Sequence, residues 1–513
     1  MSLVRSSIIV SVISLLVSVI SFFSQILIAN YFGASGNMDI YLIGSSIPLL
    51  ISALLSSGLS YSLTPHLVKA KIKHERAYDQ YLGEMLKKIS IYVFFLFLLA
   101  AIVNMLSFRF VYSMMTDDIY WLSIKICAIS WVSSFFSIIL GFLNSVFNVE
   151  KIFTTPILLS IAVYLCIIIF CILFHKEIGT LAISYGLLAG TSFSILIAYY
   201  FLKNKIRFFP SVESHAHEMK TFFSVLPTVS IAMLCFSIYQ TIDAFWAPRL
   251  GTSNLSYLGY CQRILIAVGA LVITGPSTVL VPRLAESIAE GRRLDFLTDI
   301  GTLLKLILSL ASMVALVGSI LSTEVVTILF QRGQFSAENT NGIAKILPFM
   351  LSGMVFMLCV VMLFRAFFAM GINKEVILIG VSSSVFYFAF SGIGAFYLGI
   401  SGISIAYLSN WILICIISVS YIFKGNPKMI LNKKTFEFII KQLLLLLITG
   451  LVTYLVRYLI KTHMHSTIFN NSFVILNLTG LVGVAIFFIL SLTFIPQYEI
   501  INLFNKIGLR IKK

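Results

Sequence analysis

The run "SNLSYLGYCQRILIAVGALVITGP", residues 253 to 276, is apolar and helix-forming over a length that crosses a bilayer, yet Arg263 sits well inside it. Counted from the start of the predicted span, Arg263 lies about eight residues in, which at 1.5 Å per residue is ~12 Å below the outer boundary. An arginine at the centre of a span costs about 3 kcal/mol on insertion scales, so such a residue faces a wet cavity or a partner. Its guanidinium presents a planar fork of N–H donors that matches the oxygens of a phosphate or a carboxylate. Asp243, near the end of the preceding predicted helix, supplies the structural alternative, and pairing with it is compatible with lining a cavity.

The other deep charges point the same way. Lys125 and Lys345 both enter their spans from the outer side. Lys305 and Arg365 lie near inner ends, where long side chains reach the head groups. The acids are few: Asp39 at the outer mouth of the second helix, and Asp243. An intramembrane inventory weighted toward cations suits an anionic substrate, with Arg263, Lys125 and Lys345 as its ligands and Asp39 or Asp243 holding those cations when the site is empty.

No catalytic constellation accompanies them. His175, His463 and His465 fall in outer loops or their edges, and His66, His74, His215 and His217 in inner ones; "SHAH" is a weak metal pattern. The seven cysteines (Cys127, Cys166, Cys171, Cys235, Cys261, Cys359, Cys415) all lie in apolar runs without a CxxC, which indicates packing rather than a zinc site or disulfide framework. No GxxxxGK[ST] occurs, which argues against ATP hydrolysis. The reading is therefore a transporter with no catalytic residue, metal or cofactor.

The elements that must position these residues are membrane helices. The 513 residues are 59% apolar and only 11% charged, with a mean hydropathy of +1.01, so most of the mass lies in the bilayer. The formal net charge of +16 is read as loop lysine and arginine that set orientation, not as a nucleic-acid surface. The first apolar stretch follows one arginine as a signal peptide would, but it is too long and lacks a clear cleavage site, so it reads as a first span. Fourteen spans are predicted, at about 7–29, 40–63, 89–107, 120–147, 156–175, 178–202, 222–246, 255–282, 302–331, 337–369, 375–398, 399–423, 439–460 and 472–495.

Alternate connections and the two ends hold about 25 of the 36 basic residues, from Arg5 and "KAKIKHER" to Lys513. That asymmetry supports both the count of fourteen and cytoplasmic termini. "QILIANYFGASGNMDIYLIG" from Gln25 and "QTIDAFWAPRLGTSNLSYLG" from Gln240 repeat a glutamine, a Gly-containing turn and a closing "YLIG"/"YLG", and Pro65 matches Pro282 at the same offset of 215 to 217 residues. Six-helix halves of equal orientation around a central cavity follow. The expected fold is all-α: a lobe over 1–221, a lobe over 222–438, and two further helices with a basic tail over 439–513.

Four stretches, "YFGASGNMDIYLIGSSIPLL" (31–50), "PRLAESIAEGR" (282–292), "ILFQRGQFSAENT" (328–340) and "RAFFAMGINKEV" (365–376), resemble the MurJ/MviN-like lipid-linked saccharide flippases of the MATE/polysaccharide-exporter superfamily at corresponding places in the chain. The resemblance implies two lobes around a cavity, an apolar groove for a polyprenyl tail at the last two helices, and flipping of a polyprenyl-pyrophosphate-linked saccharide by alternating access in a bacterial inner membrane. Arg263, Asp39 and Pro48 match family positions, and Arg332, Gly333, Ser336 and Arg365 belong to the shared motifs. Apart from the family, Gly333 lets the chain reverse and Ser336 can cap the tenth span. The first helix, "VSVISFFSQ", and the segment after the proline, "PLLISALLSSG", carry none of the basic residues of peptidoglycan-type members. Lipid II and a capsule or O-antigen unit on the same carrier are therefore both kept as cargo.

With the cytoplasm negative, each negative charge carried outward gains about 2.3 kcal/mol per 100 mV, so a diphosphate needs no ATP; Na⁺ or H⁺ coupling stays open. The expected partners are the bilayer and the carrier-linked saccharide, with no nucleic acid and a monomeric chain. A cation-coupled drug exporter of the same superfamily is the alternative, although it would typically have twelve helices and cavity carboxylates. A membrane-embedded transferase would need a metal or general-base cluster that is not seen.

Overall fold

The computed structural model describes residues 3–73, 77–111, 116–207, 230, 234–370, 372–424, 426, 432–463 and 471–494. Residues 222–229 and 231–233 of the seventh predicted span, the "SHAH" pair His215 and His217, the loop residues His74, Arg76, Lys220, Lys428 and His465, and the basic tail lie outside the described residues. So do the side chains of Arg5, Cys235, Pro282, Arg283 and His463.

The described residues fold as helices: α1 (Leu3–Phe32), α2 (Gly36–Lys73), α3 (Tyr78–Val111), α4 (Asp117–Val149), α5 (Thr154–Ile178), α6 (Leu181–Leu202), α7 (Leu234–Ser237), α8 (Tyr239–Trp246), α9 (Asn254–Ala289), α10 (Arg293–Ile320), α11 (Ser322–Phe330), α12 (Ala337–Ala369), α13 (Asn373–Leu398), α14 (Ile400–Ile422), α15 (Lys433–His463) and α16 (Ser472–Phe494). Thirteen of these are long and apolar enough to cross a membrane, and they coincide with the predicted spans other than the seventh. Away from their ends, helices satisfy their backbone groups internally, which the absence of water in hydrocarbon demands.

One predicted span needs correction. The stretch 302–331 is not a single helix: α10 ends at Ile320, Leu321 leaves helical geometry at φ −99° and ψ 21°, and the nine-residue α11 begins at Ser322. Averaged hydropathy passes over this break because Leu321, Val325 and Val326 are as apolar as the residues before them. Glu324 gives the second segment a different role. Buried at 2% exposure, it takes Arg457 Nη2 at 2.9 Å and Lys461 Nζ at 2.6 Å from α15. Burial alone would raise its pKa, but the bonds from Lys461 and Arg457 outweigh that and hold the carboxyl below its ordinary value.

The chain forms two compact units, Met1–Gly259 with Arg332–Phe335, and Tyr260–Gln331 with Ser336–Lys513. The division falls inside α9. In the first unit α2 packs on α4, and α5 on α6. The α5–α6 approach depends on missing side chains: a Cβ at Gly186 would lie 2.7 Å from Ile167 Cα, and one at Gly190 would lie 2.7 Å from Val163 Cα. One turn further on, Ser194 Oγ donates to the Leu159 carbonyl at 3.0 Å. Small residues at this spacing let two backbones come close enough for dispersion and polar contacts to hold them in lipid.

Near the other end of α4, Glu150 draws in Lys71 of α2 and Lys205, just beyond α6, each at 2.5 Å. Burial works to raise its pKa, but the hydrogen bonds from Lys205 and Lys71 leave the carboxyl below its ordinary value.

In the second unit α12 packs against α14 and α10, and α13 against α14. The last two helices pack on each other and on α10. Leu321, Ile460 and Ile475 share one apolar cluster, and Met313, Leu445 and Phe487 share another. Between the two elements, Ser309 Oγ donates to Gln442 Oε1 at 3.1 Å while Gln442 Nε2 donates to Ser312 Oγ at 3.0 Å.

Candidate substrate site

Arg263 lies in α9, half-buried. Its guanidinium carbon sits 5.3 Å from the centroid of the Tyr260 ring, one helical turn earlier on the same face. Tyr260 is 1% exposed, and its ring is backed by Phe330, the last residue of α11, at 5.1 Å between centroids. The ring quadrupole offsets part of the cost of the charge, typically about 0.5–2 kcal/mol, but a π face accepts no conventional N–H bond. Nη1 of Arg263 is buried with no hydrogen-bond acceptor. Among the described residues of its own unit, Arg263 engages no carboxylate. Asp243 itself is 1% exposed in α8 and belongs to the first unit.

Lys345 of α12 shares the second unit with Arg263, whereas Lys125 of α4 belongs to the first. Both lysines are exposed, and neither engages a carboxylate among the described residues. Arg365, near the end of α12, is likewise exposed.

Asp39 serves the start of α9. It is 5% exposed and accepts from both the backbone N–H of Ser256 at 2.7 Å and the Ser256 hydroxyl at 2.5 Å. Ser256 lies in the first turn of α9, whose N–H groups have no partner within the helix, so Asp39 supplies the acceptor and complements the positive end of the helix dipole. Pro48, inside α2, has its carbonyl bound by Ser134 Oγ of α4 at 3.1 Å.

The "QRGQF" turn holds the C-terminal end of α1. Gln334 N–H donates to the Asn30 carbonyl at 2.9 Å, and Gly333 adopts φ +54° with its α-carbon so close to Asn30 that a Cβ would collide with it. Arg332 is exposed in this turn, its carbonyl taking the Phe335 N–H at 3.0 Å. Ser336 caps α12 as expected, accepting from Asn339 N–H at 3.2 Å.

Two cavities were not foreseen. One, of about 210 Å³ in the second unit, is lined only by apolar residues, among them Ile264 next to Arg263, Val317, Leu321, Leu351, and Leu476 and Val484 from α16. The other, of about 380 Å³ in the first unit, is lined mainly by hydroxyl and amide side chains. Its signature was available in "SIILGFLNSVFN", where Ser137, Gly141, Asn144, Ser145 and Asn148 recur at helical spacing on one face of α4. The apolar cavity left no comparable sign, because its lining comes from five helices.

A chain whose described residues are almost wholly membrane-length helices, one of them burying an arginine N–H donor without an acceptor, is a multi-pass membrane protein. Its fold is similar to that of a solved lipid II flippase MurJ in an inward closed conformation, with a TM-score of 0.76 and 21% identity over 95% of this chain and 98% of that one. It is also similar to an inward-facing multidrug resistance MATE family transporter of the MOP superfamily, with a TM-score of 0.67 and 14% identity over 80% of this chain and 94% of that one. The chain belongs to the MurJ lipid II flippase family, whose model matches residues 28–479. Among its relatives, the probable lipid II flippase MurJ of Buchnera aphidicola subsp. Acyrthosiphon pisum is 26% identical over 72% of this chain and 74% of that protein. The lipid II flippase MurJ of Burkholderia cenocepacia is 24% identical over the same shares of the two chains.

Proposed function

We propose that this protein moves a polyprenyl-pyrophosphate-linked saccharide, lipid II or another sugar on the same carrier, from the cytoplasmic to the outer leaflet by alternating access. The observation that carries the reading is the buried Nη1 of Arg263, a charged donor in a membrane span with no acceptor. Buried charged donors are held at high cost unless something accepts from them, and a pyrophosphate supplies several anionic oxygens. The apolar cavity lined by Ile264, one residue further along α9, is suited to part of a branched hydrocarbon chain. Lys345 and Lys125 are further cationic ligands in this reading, and both termini are cytoplasmic. The membrane potential drives release outward, with Na⁺ or H⁺ as added coupling ions. The drug-exporter alternative is not favoured, because the likeness to multidrug transporters is one of fold alone.

The test is transport of a labelled polyprenyl diphosphate saccharide by the protein in liposomes, with mass spectrometry of copurified lipids to identify the head group. Wild type should move the carrier-linked sugar and copurify with it. A protein that inserts and folds but moves none would overturn the reading.

A further inference from the structure

Within α2, α4, α5 and α6 of the first unit lies a cavity of about 380 Å³, within the range of about 300–1,000 Å³ typical of small-molecule sites. Its polar wall carries Ser, Thr, Asn and Tyr side chains and no Asp, Glu, Lys, Arg or His. A groove meant for acyl chains would be apolar, and one meant for a metal ion would ordinarily hold a carboxylate.

The direction of its hydrogen bonds narrows the choice. Ser137 donates to the Ser133 carbonyl at 2.9 Å, Ser145 to Gly141 at 3.1 Å, Ser160 to Pro156 at 3.2 Å and Thr191 to Leu187 at 2.9 Å. With these four hydroxyl protons turned back onto their own helices, what those side chains offer a ligand is oxygen lone pairs. Asn144 adds an amide whose Oδ1 is buried without a partner. The wall is therefore uncharged, and it sets these acceptors beside the amide N–H donors of Asn144 and Asn148. Tyr164 contributes an aromatic ring, against which the C–H face of a pyranose can rest. Gly141 leaves the space open, since a Cβ there would meet nothing within 4 Å.

From this geometry we infer that the cavity receives an uncharged sugar ring, its hydroxyl or acetamido N–H groups donating to Asn144 and the serine and threonine oxygens. Resting on the flippase reading, the inference assigns the saccharide end of the cargo to the first unit and makes this pocket a determinant of which sugars are carried.

The experiment compares wild type with Gly141→Leu, which fills the cavity from a position with room for the side chain, and with Asn144→Leu, which keeps volume but removes the amide. Proteoliposomes receive either bare polyprenyl diphosphate or the same lipid bearing an N-acetylated disaccharide. Saturation-transfer NMR separately measures binding of soluble N,N′-diacetylchitobiose. Both variants should slow the disaccharide-bearing lipid at least tenfold, leave the bare lipid within twofold of wild type, and lose the NMR signal. Equal slowing of both lipids, no slowing, or an undiminished signal in Gly141→Leu overturns the pocket assignment. A sodium requirement abolished by Asn144→Leu without sugar discrimination overturns it in favour of a cation site. Should wild type move neither lipid, the flippase reading fails, and the NMR comparison still decides the pocket.

Discussion

The carboxylate of Asp39 accepts both the backbone N–H and the hydroxyl of Ser256, a residue 217 positions further along the chain. In the repeated segments "NMDIYLIG" and "NLSYLG" the two residues occupy corresponding places. The duplicated motif thus closes on itself, one copy supplying an acid and the other a helix start that needs an acceptor. Asp39→Ala should destabilise the protein by about 2 kcal/mol, the scale of a charge-assisted bond. Asp39→Asn should lose less, since its amide oxygen still accepts. Thermal unfolding in detergent checks the order; equal losses would remove the capping role.

Arg263→Ala should abolish complementation of a flippase-deficient strain while membrane levels stay near wild type. Arg263→Lys keeps the charge but not the planar fork, so it should retain only part of the activity. Full activity in the alanine variant would take Arg263 out of the mechanism.

Tyr260→Leu should weaken the guanidinium's support by about 1 kcal/mol, and Tyr260→Phe should be close to neutral, because the ring face and not the hydroxyl carries the interaction. Transport at limiting substrate, measured beside wild type, separates the two.

Glu324, with its carboxyl held below the ordinary value of 4.5, stabilises the fold fully above that value and progressively less as pH falls through its lower folded value. Glu324→Gln should cost about 1–2 kcal/mol at neutral pH, less than the roughly 3–5 of a fully buried pair, because Arg457 and Lys461 are only partly buried. The melting temperature of wild type should drop toward that of the variant in acid. Parallel curves over pH 3 to 7 would contradict this.

Gly186→Ala places a methyl against the Ile167 backbone, which cannot rotate away as a side chain can. A loss of about 1–3 kcal/mol is expected from overpacking, seen as lower yield and melting temperature. An unchanged variant would mean that α5 and α6 separate freely.

Much of this was legible in the residues. Runs of apolar side chains fixed the helices, because a backbone in hydrocarbon has no other way to satisfy its polar groups. The Ser336 cap and the Gly333 reversal are local geometry and could be read from a few residues each. Arg263 stood out because a charge at that depth needs an explanation. What it touches within its own unit did not follow from sequence: the Tyr260 ring lies under its guanidinium, and Nη1 has no acceptor. Only the packing of helices distant in sequence decided that Asp39 caps α9, that Glu324 gathers two cations from α15, and that polar faces of four helices enclose a cavity. Side-chain type and spacing determine what a segment can satisfy within itself, whereas a partner 133 or 217 residues away is chosen by tertiary packing.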